Sequence, residues 1–415
     1  MQDFIARLEE RVGELGNHHR KYLRNISANI DKIIDRLETC GQIDQVHLRS
    51  AAPDLAGETA MVAGLGRSID EKLDLLGCYY GFQFLNMNIR AVDVLALNLA
   101  TSDDRYVVYK QFMRQIGNDF RSLTACHMQH TLDLLLSQDK RSEFVICGVG
   151  TRADQDDIDV GIIDDGSPGR SDLNKAVGRM QHIMLKQAVR LHFYLSEHVG
   201  SQSYSASIPE YKNLLKREIH DFVIINEMLG AAPIIGSNRL YRIFSREVTQ
   251  RYYYHRQGDN RFHEGFLRGL LGEVRSLLIR KAKKNSINPK DDGLRMLKGI
   301  VFAGKSIFNI GKVNAWDILH QLEERDPEHK DIFRVLDRSL TFLEIFRFLY
   351  QLFVVQEEEI YLGGEDTSSN LQAVAKAMGY QDVGVIKAWD HLLIHYYEHV
   401  DVIKEPVETL LKDVL

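Results

Sequence analysis

Residues 144–164 read FVICGVGTRADQDDIDVGIID, and their pattern differs from that of the rest of the chain. Two short apolar runs, 144–147 and 158–163, enclose a turn that contains glycines and aspartates. Short apolar runs that end at turn residues are typical of buried strands. A helical pattern at 173–188 and a third apolar run at 190–197 follow. The segment therefore predicts a strand-loop-strand-helix-strand unit and, with it, a small mixed sheet.

Outside this unit the hydrophobic spacing is helical. Residues 1–40 and 70–138 carry apolar residues at intervals of three and four, as amphipathic helices do. Residues 41–66 contain Pro53 and four glycines and predict a loop or hinge. Beyond the sheet, candidate helices lie at 209–230, 238–250, 260–284, 291–308, 327–356, 368–378 and 382–412. We therefore expect an α+β protein, with a small sheet at about 142–200 embedded in a mostly helical chain.

The composition is that of an ordinary folded protein. Hydrophobic residues make up 44% and charged residues 27% of the 415 residues, which suffices for more than one packed core. The net charge of −6 is too small to indicate general nucleic-acid binding. The four cysteines are scattered without a Cys-x-x-Cys pair, and the amphipathic N-terminus lacks the apolar segment of a signal peptide. We expect a cytoplasmic protein with no membrane segment.

Asp157 and Asp159 carry the clearest chemical signal. Residues two apart in a strand lie on one face, about 6.6 Å apart along the backbone, so these carboxylates would sit side by side. Ile158 and Val160 would point the other way, into a core. Mg²⁺ is commonly held by one or two carboxylates together with substrate phosphates. The pattern therefore predicts a Mg²⁺ site in which Asp157 and Asp159 are both the metal ligands and the catalytic residues.

The turn before these aspartates suits a phosphate group. Gly148 and Gly150 allow close approach of the backbone and offer N–H groups, and Arg152 would clamp a phosphate oxygen. With Thr151, these are the candidate nucleotide-binding residues of the turn. An acidic turn between strands is also a common solvated feature, and this loop holds six aspartates between positions 154 and 165. Both interpretations stay open on the pattern alone.

The same segment resembles the glycine-turn and Asp-hydrophobic-Asp signature of the polymerase-β-like nucleotidyltransferase superfamily. Within that superfamily, the segment is similar to the branch that contains the bacterial uridylyltransferase of the PII signalling protein. Related nucleotidyltransferase-like domains belong to the same branch. Three later segments are similar to that branch in the same order: IINEMLGAAPIIGSNRLYRIF, NPKDDGLRMLKGIVFAGKSIF and LQAVAKAMGYQDVGVIKAWDHLLIHYYEHV. The resemblance covers about 110–405 and implies a small mixed-sheet nucleotidyltransferase domain. It adds Lys290 and Arg295, which match the branch's Lys-x-x-x-Gly-Gly-Leu-Arg-Asp motif, to the candidate nucleotide-binding residues.

The chain also departs from the family pattern. Val149 follows Gly148 where the superfamily usually has Gly-Gly or Gly-Ser, and the loop to Asp157 is about two residues shorter. Met296 stands where the branch usually has Asp. A third carboxylate is usual on the next strand, where only Glu197, at its end, is acidic in this chain. We therefore expect one firm Mg²⁺ site and a weak or absent second one.

Together the patterns divide the chain into N-terminal helices with a linker (1–66), a helical lead-in with the nucleotidyltransferase-like domain (67–205) and a C-terminal helical domain (206–415). The expected activity is Mg²⁺-dependent transfer of a nucleoside monophosphate from a nucleoside triphosphate to a protein or small acceptor. One alternative is a catalytically silent protein that senses nucleotide or docks a partner. The other is an interaction protein without nucleotide affinity, whose N-terminal helices would also provide a homo-oligomer surface. No nucleic acid is expected as a partner.

Three further features have plainer interpretations. Six basic residues cluster between positions 281 and 298: Lys281, Lys283, Lys284, Lys290, Arg295 and Lys298. We expect this basic cluster to be a solvated face of the protein, and the alternative is a surface that binds phosphate or a partner. Three consecutive tyrosines at 252–254 favour core packing. His391, His395 and His399 share one helix face and favour packing or surface exposure over a metal site.

Overall fold

The sheet predicted from residues 144–164 is present. The computed structural model describes residues 2–34, 54–136, 142–149, 157–193, 204–217, 228–280, 283–363 and 367–413. Strand β1 is Phe144–Gly148 and strand β2 is Asp157–Asp164, and they pair antiparallel with Ile146 opposite Ile162. Apart from the half-buried Phe144, the apolar residues of both strands are almost fully buried, as is typical of central strands covered on two faces.

Three short strands complete this sheet. Strands β3 (Arg190–His192) and β4 (Ser205–Ser207) both run parallel to β2, β3 along its start and β4 along its end. Strand β5 (Ala232–Gly236) pairs antiparallel with the other edge of β1, which gives the order β3-β2-β1-β5. The third strand that the sequence predicts at 190–197 begins at the expected residue, and its residues 194–197 lie outside the described part of the chain.

Strand β5 shows that the expectation of an all-helical chain outside the predicted sheet was wrong. Pro233 lacks the N–H that a helix interior needs, and the outer edge of β1 offers backbone groups that require partners. Gly236 has a φ of +95° and lies so close to Phe144 that a Cβ would overlap the Phe144 carbonyl oxygen. A second exception is a two-residue ladder between β6 (Ser286–Ile287) and β7 (Ile360–Tyr361).

Helices surround the sheet. Those that precede it are α1 Gln2–Gly13, α2 Lys21–Asn29, α3 Leu55–Leu65, α4 Ile69–Thr101 and α5 Arg105–Leu135. Those that follow β2 are α6 Arg170–Lys186, α7 Ile208–Arg217, α8 Asn238–Phe244, α9 Gln250–Tyr253, α10 Arg261–Leu278, α11 Arg295–Ile307, α12 Ala315–Arg325, α13 Lys330–Phe353, α14 Thr367–Ala377, α15 Ala388–Val402 and α16 Lys404–Asp413. The mostly helical character predicted for the chain is confirmed.

Shorter helical turns join several of these elements. Three turns of 3₁₀ helix span Asn17–Arg20, Ile30–Lys32 and Pro327–His329. Two π-helical turns, Ser245–Thr249 and Lys290–Leu294, lead directly into α9 and α11. Among the described helices, none is both long enough and apolar enough to cross a bilayer.

Helix α3 shows that the loop predicted at 41–66 was wrong for residues 55–65. Asp54 caps this helix, because its side chain accepts a hydrogen bond from the Gly57 N–H at 3.1 Å. Leucine, alanine, methionine and glutamate favour the helix, and burial of Val62 outweighs the cost of two glycines. Residues 41–53 lie outside the described part of the chain.

One hydrophobic core connects the sheet to the helices on either side of it. The predicted helical block at 70–138 consists of α4 and α5, which pack along each other. The N-terminal helices also reach the C-terminal half, because His19 is buried with its Nε2 atom 3.1 Å from the Leu352 carbonyl oxygen. The walls of a cavity at the sheet can therefore come from elements far apart in the sequence.

Arg170, at the start of α6, ties the end of β2 to its neighbours. Its Nε atom lies 2.9 Å from the buried carboxylate of Asp164, and its Nη2 atom donates to the Ser205 carbonyl at 2.8 Å. Both Nη atoms also bond the Glu210 carboxylate. Burial raises the pKa of Glu210, but hydrogen bonds from Arg170 and Ser207 outweigh it and lower that pKa to about 2. This network fixes β2, β4 and α7 relative to one another.

Candidate functional site

A cavity lies where strand β1 ends beside the first residues of β2. Gly148 and Asp159 line it, together with Val149 and Ile158. The Val149 N–H donates to the Asp159 carbonyl oxygen at 3.0 Å, so the β-ladder continues up to the predicted turn. The Asp159 side chain is half-buried. One predicted metal ligand and one predicted phosphate-binding glycine thus face the same space.

The remaining walls come from elements distant in sequence. Helix α5 contributes Met113, Arg114, Gly117, Asn118, Arg121 and Thr124, and β5 contributes Ile234. The start of α12 and its cap contribute Asn314, Ala315 and Trp316, and α13 contributes Leu340 and Glu344. The walls are therefore mixed, with apolar side chains beside cations, carboxylates and amides.

Two arginines of α5 are cavity residues that the sequence did not single out. They lie seven positions apart, which places them on the same face of a helix. Arg114 donates to the Asp317 carboxylate at 2.7 Å. Arg121 is exposed and makes no ion pair with a residue that the structure describes. Two arginines at helical spacing are common in any long helix, so the sequence pattern does not identify Arg114 and Arg121 as cavity residues. Their position at the cavity becomes evident only from the packing of α5 against the sheet.

The neighbouring strand β3 places basic residues beside the two aspartates. In the parallel ladder Asp157 pairs with Arg190, and Asp159 pairs with His192. Neighbouring strands lie about 4.8 Å apart, so His192 stands next to Asp159 on the strand where a third carboxylate was expected from the resemblance. Among the described residues, no group of three or more histidine, cysteine, aspartate or glutamate side chains is arranged to hold a metal ion.

A second carboxylate reaches the cavity from the helical region. Glu344 of α13 is only 4% exposed, and its Oε1 atom lies 2.8 Å from the Nζ atom of Lys298 on α11. The sequence marked Lys298 only as part of a basic cluster and did not mark Glu344, because a glutamate in an apolar helix carries no local signal. The folded chain thus presents two carboxylates, Asp159 and Glu344, to one space.

The enclosed part of the cavity is small. Its volume is about 70 Å³, which holds a few water molecules and is well below the several hundred Å³ of typical small-molecule sites. The exposed side chains of Asn118 and Arg121 lie on its open side. A nucleotide would therefore have to widen the cavity or extend outward past α5.

Lys290 and Arg295 do not line this cavity. Lys290 lies 3.4 Å from the Glu358 carboxylate, and Arg295 lies 3.2 Å from Asp291 one turn earlier. The π-helical turn that carries Lys290 packs against α13, where a Cβ on Gly293 would overlap the Leu343 side chain. The structure therefore does not bring these two predicted nucleotide-binding residues to Gly148 and Asp159.

Much of the basic cluster is compensated by acidic residues. Lys283 bonds both carboxylate oxygens of Glu359, and Lys298 bonds Glu344. Lys284 is exposed, and Lys281 lies outside the described residues. Lys283, Lys290 and Arg295 form ion pairs at the surface, in agreement with the plainer of the two interpretations, whereas Lys298 pairs with a buried carboxylate.

Several predicted site residues lie outside the described part of the chain. These are Gly150, Thr151 and Arg152 of the turn, and Glu197 at the end of the third apolar run. Asp157 is the first residue of β2. Their predicted roles in phosphate and metal binding stay predictions.

Two aspartates at the other end of β2 have structural roles. Asp164 is fully buried and pairs with Arg170. Asp165 accepts hydrogen bonds from the Ser142 hydroxyl at 2.6 Å and from the Ser167 N–H at 3.0 Å. Burial raises the pKa of Asp165, but these hydrogen bonds lower it to about 2. These two aspartates hold the end of β2 in place and do not line the cavity.

The tyrosine run and the histidine stripe serve packing, as predicted. Tyr252 and Tyr253 are buried, and the Tyr254 hydroxyl donates to the Ile310 carbonyl at 2.7 Å. His399 stacks on a phenylalanine ring in the core, and its Nε2 atom lies 2.8 Å from the Tyr106 hydroxyl. His395 bonds the Tyr380 hydroxyl at 2.7 Å.

No protein-family model matches the chain, and comparison with curated proteins finds no significant match. The interpretation of function therefore rests on the sequence resemblance and on the geometry of the cavity.

Proposed function

We propose that the protein is a Mg²⁺-dependent nucleotidyltransferase-type protein that acts on a nucleoside triphosphate and a protein or small acceptor. The observation that carries the proposal is the meeting of three elements in one cavity. A strand-end glycine, Gly148, and a strand carboxylate, Asp159, face the same space as a cation, Arg121. The same combination is what metal-assisted phosphoryl chemistry requires.

The donor set suits a hard cation. Asp159 presents oxygen ligands at the cavity, and Asp157 lies two residues earlier on the same strand. Oxygen ligands from one or two carboxylates are typical of Mg²⁺ sites in which substrate phosphates supply the rest. Bound there, Mg²⁺ would neutralise charge on the triphosphate. We propose one firm metal site rather than two, because a second metal usually takes a third carboxylate in the resembling family.

The chain's own groups would position the phosphates. Gly148 lines the cavity, and the place of its missing Cβ is taken by the Ile234 side chain, whose Cδ1 atom lies 3.0 Å away, so a phosphate would meet Gly148 only through its cavity-facing backbone. Arg121 offers a planar set of N–H donors that matches phosphate oxygens. In-line transfer depends mainly on such positioning and on charge neutralisation, so no protein nucleophile is needed.

A second candidate function is a catalytically silent nucleotide sensor. The specific observation in its favour is the register of β3, which places His192, and no carboxylate, beside Asp159 on the strand where the resembling family usually has an acidic residue. Mg²⁺ prefers oxygen ligands, so an imidazole is a poor substitute for a carboxylate at such a site. Such a site would hold a nucleotide with its metal and yet transfer nothing.

Radiolabelled triphosphates separate these functions. The protein is incubated with Mg²⁺, a cell lysate and triphosphates labelled either at the α- or at the γ-phosphate. Nucleotidyl transfer leaves the α-label, and not the γ-label, on an acceptor. The Asp159→Asn variant should abolish this transfer, while Asp103→Asn, at an exposed position away from the cavity, should keep it. Binding without transfer would favour the sensor, and absence of any nucleotide binding would contradict both functions in favour of an interaction protein.

A further inference from the structure

A second, larger cavity lies between helix α6 and the start of helix α4, where α2 also contributes Asn25. Its volume is about 830 Å³, which is within the range of small-molecule sites, whereas the cavity at Asp159 has a volume of about 70 Å³. The two cavities share no lining residue. A ligand of the larger cavity would therefore bind apart from the proposed nucleotide site.

Helix α6 lines this cavity with a row of basic side chains. Four exposed basic residues contribute, namely Lys175, Arg179, His182 and Lys186. They are four, three and four positions apart, so they occupy one face of the helix. Arg179, His182 and Lys186 form no ion pair with a described residue, and Lys175 forms only an exposed one, at 3.5 Å, with Asp172 on the same helix. Such an exposed pair contributes little, so the basic row is available to an anion.

Helix α4 brings two carboxylates to the same cavity. Asp70 and Asp74 lie one turn apart, and both are exposed. Neither forms an ion pair with a described residue, although both line the cavity together with the basic row. Groups of opposite charge that line one cavity without pairing are separated by its space. An occupant can therefore contact the cations with one end and the carboxylates with the other.

The helices on the two sides of the cavity are held together by Gln187, which is buried and also lines it. The Gln187 Nε2 atom donates to the Leu73 carbonyl oxygen of α4 at 2.8 Å, and its Oε1 atom lies 2.8 Å from Nε2 of His127. Burial lowers the pKa of His127 to about 4, so this ring is neutral at pH 7. A Cβ on Gly77 would overlap the Gln187 side chain, so the fit is close. The cavity is therefore largely formed before a ligand arrives, which reduces the cost of binding.

We propose that this cavity binds a phosphorylated sugar, with its phosphate on the basic row of α6 and its hydroxyl groups on Asp70 and Asp74. A phosphate monoester carries roughly 1.5 to 2 negative charges at pH 7, which suits a row that contains two lysines and an arginine. The Arg179 guanidinium offers paired N–H donors that match phosphate oxygens. Carboxylates only accept hydrogen bonds, and sugar hydroxyls donate them.

The two carboxylates make other anions less suitable. A nucleic acid or an acidic peptide carries negative charge along its whole length, and Asp70 and Asp74 would repel part of it. Inorganic phosphate would contact the basic row but would bring no hydroxyl donors to the carboxylates. A sugar phosphate confines its charge to one end and carries hydroxyl donors at the other.

Calorimetric titration with glucose 6-phosphate and with ribose 5-phosphate tests the proposal on the unaltered protein. At least one of them should bind about tenfold or more tightly than inorganic phosphate and than the unphosphorylated sugar, because each of these lacks one of the two sets of contacts. Arg179→Gln should weaken this binding about tenfold, whereas Arg268→Gln, at an exposed position that lines neither cavity, should leave it unchanged. Absence of sugar phosphate binding at millimolar concentration, or binding that Arg179→Gln does not weaken, would overturn the proposal.

The Asp74→Ala variant tests the sugar end of the site. It should weaken sugar phosphate binding about tenfold without weakening the binding of inorganic phosphate, because it removes hydroxyl acceptors and a repulsive charge. Asp103→Ala, at an exposed position that lines neither cavity, should change neither affinity. Equal loss of both ligands on Asp74→Ala would show that no carboxylate holds the sugar. Asp159→Asn should leave sugar phosphate binding unchanged; a loss would place that ligand in the other cavity and would also overturn the proposal.

Discussion

The buried amine of Lys305 should make the protein less stable at neutral pH than at alkaline pH. This side chain of α11 is 1% exposed, and its Nζ atom donates to the Leu229 carbonyl oxygen at 2.6 Å. It forms no ion pair with a carboxylate among the described residues. Burial lowers the pKa of Lys305 from 10.5 to about 7. We therefore predict that Lys305→Met stabilises the protein at pH 7.

The magnitude follows from the difference between folded and unfolded pKa values. The unfolded chain keeps the proton up to a pKa of 10.5, while the folded chain releases it at about 7. Between these values the unfolded state binds more protons, so stability rises with pH in this window. A difference of roughly 3.5 units corresponds to about 5 kcal/mol in total, of which about 4 kcal/mol is missing at pH 7.

The substitution also removes one hydrogen bond. Leaving the Leu229 carbonyl without its donor costs roughly 1–3 kcal/mol at every pH. The net gain at pH 7 is therefore about 2 kcal/mol. The penalty on the buried lysine falls to about 2 kcal/mol near pH 9 and disappears only above pH 10.5, the unfolded pKa. Above about pH 9 the lost hydrogen bond therefore outweighs it, and Lys305→Met should become the less stable protein. The two stability curves are expected to cross.

Urea unfolding followed by far-UV circular dichroism, repeated from pH 6 to pH 10, measures this crossing. Lys186→Met, at an exposed position with no ion pair to a described residue, is the matched control and should follow the unaltered protein at every pH. A Lys305→Met variant that is less stable at pH 7, with an unchanged slope against pH, would refute the reasoning, because Lys305 would then be charged in the folded state.

Three other substitutions have expected outcomes. Arg121→Ala should weaken triphosphate binding about tenfold in calorimetry and reduce the salt dependence of that binding. Arg268 is exposed and does not line the cavity, so Arg268→Ala should change neither quantity. Gly236→Ala should lower the free energy of unfolding in urea by at least about 2 kcal/mol, because Gly236 has a φ of +95° and lies against Phe144. Gly272→Ala, with open space around the glycine, should raise that free energy by up to about 1 kcal/mol. Equal effects of the two substitutions would contradict the structure. Glu210→Gln should cost about 1 kcal/mol at pH 7, because the pKa of Glu210 is lowered to about 2 and its side chain is 37% exposed. That stability is present above about pH 4.5 and is lost as the pH falls toward 2, so the cost should shrink in urea titrations at pH 4 and below.

The sheet's central strands could be predicted because their pattern is local. The apolar runs of β1 and β2 end at glycines and aspartates, and such runs bury well whatever packs on them. Helices α4 and α5 could also be predicted, because their apolar residues repeat at a helical period of 3.6 residues over many turns. Asp159 and Gly148 could be picked out for the same reason, because strand and turn geometry follow from neighbouring residues.

Two elements that were not predicted, β5 and α3, form because of contacts with residues distant in the sequence. Strand β5 forms because β1 has a second edge to satisfy, which no window around residues 232–236 reveals. Helix α3 contains two glycines that suggested a loop, and burial of Val62 together with the Asp54 cap outweighs them. In each case a weak local preference gives way to a tertiary contact.

The same division applies to the cavity. The strand that carries Asp159 and the glycine beside it could be predicted from the residues alone, because both lie within one short segment. The sequence also suggested Lys290 and Arg295, which the tertiary structure places in ion pairs elsewhere. Only the packing of α5, α12 and α13 against the sheet brings Arg121 and Glu344 to that space. A side chain's neighbours across the core depend on how whole elements pack, and no local pattern of residues records that arrangement.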